Sequence, residues 1–213
     1  RSPWSRATTA GNSWATQVRV EEFVPDRLTI SSRIPGSEDR AWIPFSAVKA
    51  SVRLMNLYGT AAAGNPVRAA FRLSPRSFAF PKFPDYRFQD SWETDKYYEE
   101  ALPEGATNEA GDADFSIDLS KFEPATFLLT FTAEGLEKQG GRGVTAESSV
   151  VVSPLSRIVG WKSDGRLDYI AKGAERRARF IAIDPYQKPV EVRDLRFALD
   201  EIRTSGFETV VLK

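Results

Sequence analysis

Residues 48–73 read VKASVRLMNLYGTAAAGNPVRAAFRL, and their spacing decides the fold. Val48, Ala50, Val52 and Leu54 fall on one side of an extended chain, with Lys49, Ser51 and Arg53 on the other. Further on, Val67, Ala69, Phe71 and Leu73 alternate with Arg68, Ala70 and Arg72. Successive side chains of a strand point to opposite faces, so a period of two predicts two half-buried strands. The small residues between Gly59 and Asn65 predict a turn, and Pro66 opens the second strand. We therefore expect a hairpin here. A similar device is expected at 176–199, RRARFIAIDPYQKPVEVRDLRFAL, where Phe180 and Ile181 lead into Asp184-Pro185 and Lys188-Pro189-Val190 opens the returning arm. Pro66 and Pro189 stand 123 residues apart (189 − 66). That is about the length of one β-sandwich, so one domain followed by the start of a second copy is expected.

Composition narrows the function classes. Of 213 residues, 41% are hydrophobic and 12% aromatic, enough for a sizeable core. Lys+Arg and Asp+Glu both number 29, so there is no basic field for nucleic acid or an anionic membrane. No apolar run approaches a membrane span. Cysteine is absent, which removes disulfides, thiolate metal sites and a Cys nucleophile. Histidine is absent too, which removes the commonest general base and the commonest metal ligand. An enzyme built on this chain would need a carboxylate pair or a Ser–Lys pair. Such pairs arise by chance in a chain this polar, and we expect no enzyme, no catalytic or metal site and no cofactor. The chain has no initiator Met and no signal peptide, so a mature or excised segment is expected.

Outward from the opening stretch, residues 1–17 lack a period and read as a lead or the end of a preceding domain. Val18, Val20 and Val24 share a face, as do Leu28 and Ile30 beyond Pro25-Asp26, a natural hand-over between domains. Glu21 and Glu22 are strand neighbours on opposite faces, which predicts a solvated edge. Residues 35–45 read as a turn-rich loop. Residues 75–98, PRSFAFPKFPDYRFQDSWETDKYY, crowd Phe78, Phe80, Phe83, Tyr86, Phe88, Trp92, Tyr97 and Tyr98 around three prolines. These rings are either a platform for a glycan or polyproline peptide, or anchors of a long loop. Exposed rings in a row would favour binding; rings turned inward would favour a scaffold. Between Asp85 and Asp118 stand eleven acids and two bases. Asp112 and Asp114 share a side of a strand, but Ca²⁺ needs about six oxygens and no loop of the EF-hand type is present, so a solvated acidic face is expected.

Phe115, Ile117 and Leu119, then Phe127, Leu129, Phe131 and Ala133, predict two more strands. Gly140-Gly141-Arg142-Gly143 precedes a β-branched run, not a helix, so it reads as a hairpin turn rather than a phosphate cradle. No long 3.6 period is present between Val20 and Val150, so little helix is expected. Ser153-Pro154 marks a second hand-over. Strands are expected at 158–161, 167–170, 176–184 and 190–199, and another beginning at 210–212. Residues 157–213 are too few for a full sandwich of about 100 residues. We expect an incomplete second unit with an unpaired edge and a polypeptide that continues past Lys213.

VRVEEFVPDRLTI at 18–30, VRLMNLYGTAAAGNPV at 52–67, FPDYRFQDSW at 83–92, and SPLSRIVGWKSDGRLDYIAKG with RFIAIDPYQKPV at 153–190 resemble the bacterial alpha-2-macroglobulin family. The likeness covers nearly the whole chain after Ala15, in the part of that family that leads up to the bait region. It implies an all-β fold of tandem macroglobulin-like, Ig- or fibronectin III-like antiparallel β-sandwiches. One would span 18–153 and an incomplete second 154–213, after the lead at 1–17. It also implies a scaffold segment of a periplasmic, broad-spectrum protease inhibitor that traps proteases after bait cleavage. Its partners would be neighbouring domains of the same inhibitor and, through the intact parent, target proteases, with no nucleic acid and no membrane contact from this segment. Many members attach the protease through a thioester that needs a Cys; this chain has none and does not carry that chemistry, and the lipobox cysteine is absent too. The alternative is a glycan- or peptide-binding β-sandwich module of a cell-envelope protein.

Overall fold

The computed structural model describes residues 27–88, 90, 92, 94–138, 142–167, 173–193, 195–196, 201–205 and 208–212. The expectations for residues 1–17, Val18 to Val24, Glu21-Glu22, Pro25-Asp26, Gly140-Gly141, 168–170 and 197–199 lie outside the described residues. The strands are β1 (Leu28–Arg33), β2 (Ile43–Pro44), β3 (Lys49–Asn56), β4 (Pro66–Pro75), β5 (Arg87–Phe88), β6 (Tyr98–Ala101), β7 (Gly105–Ala106), β8 (Asp112–Ser116), β9 (Phe127–Gly135), β10 (Val144–Ser153), β11 (Ile158–Ser163), β12 (Ala178–Ile183), β13 (Glu201–Ser205) and β14 (Glu208–Leu212). The helical content among the described residues is one 3-10 turn, Phe45–Ala47.

Two sheets face each other. One has the order β1-β3-β8, the other β2-β10-β9-β4-β6, with β7 also on β4. All pairs are antiparallel except β2 with β10, which is parallel. The alternation expected in the opening stretch holds residue by residue: Val48, Ala50, Val52, Leu54, Val67, Ala69, Phe71 and Leu73 are all buried. The expected hairpin does not form. β3 pairs with β1 and β8, whereas β4 pairs with β9, β6 and β7, so residues 57–65 cross from one sheet to the other. Alternation reports which side of a strand is dry. It is silent on whether the next strand lies beside it or across the core from it.

The core between the sheets joins Val52 and Phe115 on one side to Val67, Phe71, Leu73, Leu129, Phe131 and Val152 on the other. Each large side chain withdrawn from water contributes about 1.5–3 kcal/mol. The sandwich has two ends. At the incoming end Leu28 lies opposite Asn56, and Val67 opposite Gly135. At the outgoing end Arg33 lies opposite Ser51, and Pro75 opposite Phe127.

A third sheet has the order β12-β11-β5. Its outer strand β5 comes from the aromatic stretch 75–98, with Phe88 opposite Gly160 and Arg87 opposite Trp161. One side of β11 is thus covered from within the chain. β13 and β14 pair as a hairpin, with Glu201 opposite Leu212. The expected returning arm at 190–199 is not a strand over its described residues, 190–193 and 195–196.

Candidate functional site

The densest convergence of side chains from distant parts of the chain lies at the outgoing end, where the sandwich meets the third sheet. Trp42, in the segment read as a turn-rich loop, is fully buried. Phe80, Ile158 and Ile183 share its cluster, and Phe78, Phe83, Phe88, Val151, Leu155 and Ile181 pack around it. The rings meet edge to face and in offset stacks: Trp42 to Phe78 at 5.0 Å, Phe78 to Phe80 at 5.5 Å and Phe80 to Phe88 at 4.6 Å between centroids. Such pairs add about 0.5–1.5 kcal/mol beyond the area they bury. Phe88 lies directly on Gly160, where a Cβ would come within 2.6 Å of its ring. Only a glycine on β11 lets β5 approach with that ring in place.

Polar groups tie the same junction. The indole Nε1 of Trp42 donates to the carbonyl of Leu155 at 2.7 Å. Asp90 is buried; its carboxylate accepts from the Thr126 hydroxyl and from the Trp92 amide at 2.8 Å. Thr126 Oγ1 also lies 2.9 Å from Ser153 Oγ, and Ser153 Oγ accepts from the Leu155 amide at 3.2 Å. The chain therefore leaves the sandwich at a buried, hydrogen-bonded Ser153, and Pro154 after it is exposed. Farther out, the Ala41 amide donates to Pro185 O at 2.7 Å, Lys82 donates to Gln187 O at 3.2 Å, and the Arg40 guanidinium sits 5.0 Å over the Tyr186 ring.

The aromatic stretch is thus divided by burial. Phe78, Phe80, Phe83 and Phe88 serve the junction, and Tyr98 packs on Phe122 and Phe127 in the sandwich. Tyr86 sits half-buried beside Phe83 and Phe88, while Trp92 and Tyr97 are exposed and, among the described residues, pair with no other ring. Trp42 had no signal in the sequence, because a loop residue belongs to no periodic face. Asp90 and Thr126 were equally hidden, since short polar side chains are ordinary, and Ser153 was marked only as part of a hand-over.

Asp112 and Asp114 do project from one side of β8, as a spacing of two requires. Each already has a partner on β3. Arg53 grips Asp112 with Nε at 2.7 Å and Nη2 at 3.0 Å, and Ser51 donates to Asp114 at 2.7 Å. Hydrogen bonding from Arg53, with its charge, holds the Asp112 carboxyl below the usual carboxylate range. Among the described residues no three His, Cys, Asp or Glu side chains gather as metal ligands would. A shallow groove of about 390 Å³ lies on this outer face, lined by Ser31, Arg33, Ser51, Arg53, Asn108 and Asp112 among others.

Two facing sheets closed into one core, with a loop of the sandwich serving as edge strand to the sheet that follows, define a macroglobulin-like β-sandwich protein. The family description for the bacterial alpha-2-macroglobulin MG5 domain matches residues 30–154. The chain belongs to the bacterial alpha-2-macroglobulin family. It is 38% identical over 188 residues to alpha-2-macroglobulin of Rickettsia conorii, covering 88% of this chain and 10% of that protein. It is 35% identical over 186 residues to the alpha-2-macroglobulin homolog of Yersinia pestis, covering 87% of this chain and 9% of the relative. The chain therefore spans about a tenth of the length of these relatives. The native conformation of Escherichia coli alpha-2-macroglobulin superposes with a TM-score of 0.55 at 18% identity, over 91% of this chain and 14% of that one. The trypsin-activated E. coli protein gives 0.54 at 18% identity, over 90% of this chain and 14% of that one. At that identity the likeness is one of fold.

Proposed function

We propose that this chain is a rigid shell segment of a protease-trapping alpha-2-macroglobulin and carries no active site of its own. In this reading residues 18–153 are one unit, 154–213 begin the next, and residues 1–17 are a lead or the end of a preceding unit. The observation that supports this most is the junction: Trp42, the four phenylalanines and the Asp90–Thr126–Ser153 passage fasten one unit to the next. A trap that must hold its geometry needs such fixed joints, because separate modules joined by a bare linker move relative to one another by default. The side chains that converge here pack and hydrogen-bond each other, leaving none aimed at a reacting group. The partners are the neighbouring units of the same polypeptide and, through the intact parent, target proteases. We propose a periplasmic location for the parent, an expectation carried over from the resemblance.

The test uses the 213-residue chain and the parent polypeptide side by side. The chain alone, mixed with an equimolar broad-specificity protease, should leave its activity on a protein substrate unchanged. The parent should trap the protease, and Trp42→Ala in the parent should weaken trapping. Stoichiometric inhibition by the chain alone would overturn the scaffold reading.

A further inference from the structure

The turn after β3 and the turn after β12 are the same turn. The Gly59 amide donates to Asn56 O at 2.8 Å, and the Gln187 amide to Asp184 O at 2.9 Å. The Asn56 amide donates to Thr60 O at 2.8 Å, and the Asp184 amide to Lys188 O at 3.0 Å. Ala62 donates to Leu54 O and Val190 to Ala182 O. The bridges Met55 with Ala61 and Ile183 with Pro189 coincide as well. Every one of these pairs is related by a shift of 128 residues (184 − 56). Even the left-handed residue matches, Gly59 at φ 81° and Gln187 at φ 57°. β1 pairs β3 antiparallel as β11 pairs β12, although the strand register is one residue out from that shift, Ile30 lying opposite Leu54 and Ile158 opposite Ile183. The turns therefore repeat at 128, not at the 123 suggested by the prolines; Pro189 matches Ala61, not Pro66.

The two copies differ in what they touch. The second turn is docked: Pro185 O accepts from Ala41, Gln187 O accepts from Lys82, and Arg40 covers the Tyr186 ring. Tyr186 keeps 40% of its exposure. By the shift of 128, Tyr58 stands where Tyr186 stands, and it is 97% exposed beside an exposed Leu57. The platform beneath it is firm. Leu57 donates to Arg27 O, the buried Thr107 hydroxyl holds Ala62 O and the Asn65 amide, and the Asn108 carboxamide caps the adjoining turn. A large ring carried into water on an ordered turn is placed to serve as an anchor for a partner.

We propose that the Leu57–Tyr58 turn is a docking surface for the outgoing end of a preceding β-sandwich unit in the same polypeptide. The partner loop offers a backbone amide to Leu57 O, as Ala41 does to Pro185 O, and a guanidinium or ammonium to the face of Tyr58, as Arg40 does to Tyr186. This rests on the reading of the chain as one segment of a tandem scaffold.

Hydroxyl-radical labelling of tyrosines, read by mass spectrometry, tests it in the 213-residue chain and in the parent. Labelling of Tyr58 should more than halve in the parent, toward the level of Tyr186, while Tyr97, 70% exposed, should label equally in both. Replacing Tyr58 by a photo-reactive benzoylphenylalanine in the parent should give intramolecular cross-links to the outgoing loops of the preceding unit. Equal labelling of Tyr58 in both polypeptides, or cross-links only to another molecule, would overturn the inference. Protease capture by the unaltered parent is measured alongside. Its absence would defeat the proposed function and leave the docking result standing on its own.

Discussion

The two ends of the sandwich are built from the same kind of loop and serve opposite ends of one logic. At the outgoing end, Trp42 and Phe80 are buried with Phe78 and Phe88 packed half-buried against them, and the Trp42 indole and the Asp90 carboxylate find partners within the chain. At the incoming end the loops are just as ordered by hydrogen bonds, but the large side chains at their tip, Leu57 and Tyr58, stand in water. Order and burial are therefore separable here. Local hydrogen bonding fixes the shape of a loop, while the presence of a neighbour decides whether its apolar residues are covered. An aromatic-rich stretch cannot be read as a binding platform, or a bare turn as a mere turn, until it is known what lies against each.

The comparison breaks most visibly at Trp42. Trp42→Ala removes a fully buried indole and its bond to Leu155, and should cost about 3–5 kcal/mol. Urea unfolding should then show the third sheet loosening before the sandwich; a single unshifted transition would mean that the outgoing end is not a clamp. Gly111→Ala should come next, at the incoming end. Gly111 has φ 82°, and a Cβ there would meet Leu54 O at 2.4 Å. A loss of about 1–3 kcal/mol is expected for such strain, without loosening of the third sheet. Thermal unfolding with hydrogen exchange on both ends distinguishes the two effects.

Thr126→Val sharpens the polar side of the clamp. It keeps the shape but removes one of the two partners that the buried Asp90 carboxylate has among the described residues, at a cost of about 1–3 kcal/mol. Asn in place of Asp90 in the same background should recover part of the loss, since a neutral amide is cheaper to bury than an unpaired charge. No recovery would mean that the passage works by packing alone.

The smallest effect is at the outer face. Arg53 depresses the Asp112 pKa, so the folded form holds this proton less tightly than the unfolded chain. The associated stability is present above the unfolded value of about 3.9 and is lost as pH falls through the lower folded value. Arg53 is exposed and Asp112 only half-buried, so solvent screening keeps the contribution slight. In Arg53→Gln, NMR titration should place Asp112 back near an ordinary carboxylate; an unmoved titration would remove Arg53 as the cause.

Much of the sandwich was legible. Spacing alone assigns Val52, Leu54, Phe71, Leu73, Phe115, Phe127, Leu129, Phe131 and Ala133 to the dry side, and the structure buries them all. The second turn was legible as a repeat, but in the wrong register, because proline was taken as the landmark while the hydrogen bonds align Pro189 with Ala61. The junction was legible only in part, as a hand-over at Ser153-Pro154 and as rings that either anchor a loop or form a platform. Trp42, Asp90, Thr126 and Ser153 come from four separate segments, and no local pattern announces that they will meet.

The sequence by itself determined which stretches are extended, which side of each is apolar, and that no thiol or imidazole chemistry is available. Those are properties of neighbours along the chain, set by covalent geometry and by side-chain chemistry. Tertiary structure alone decided that β3 and β4 face each other across the core instead of pairing, that residues 87–88 join the sheet of the following unit, and that the phenylalanines turn inward. Strand pairing and burial depend on contacts between residues far apart in sequence, and their free energy exists only once the whole sandwich has closed.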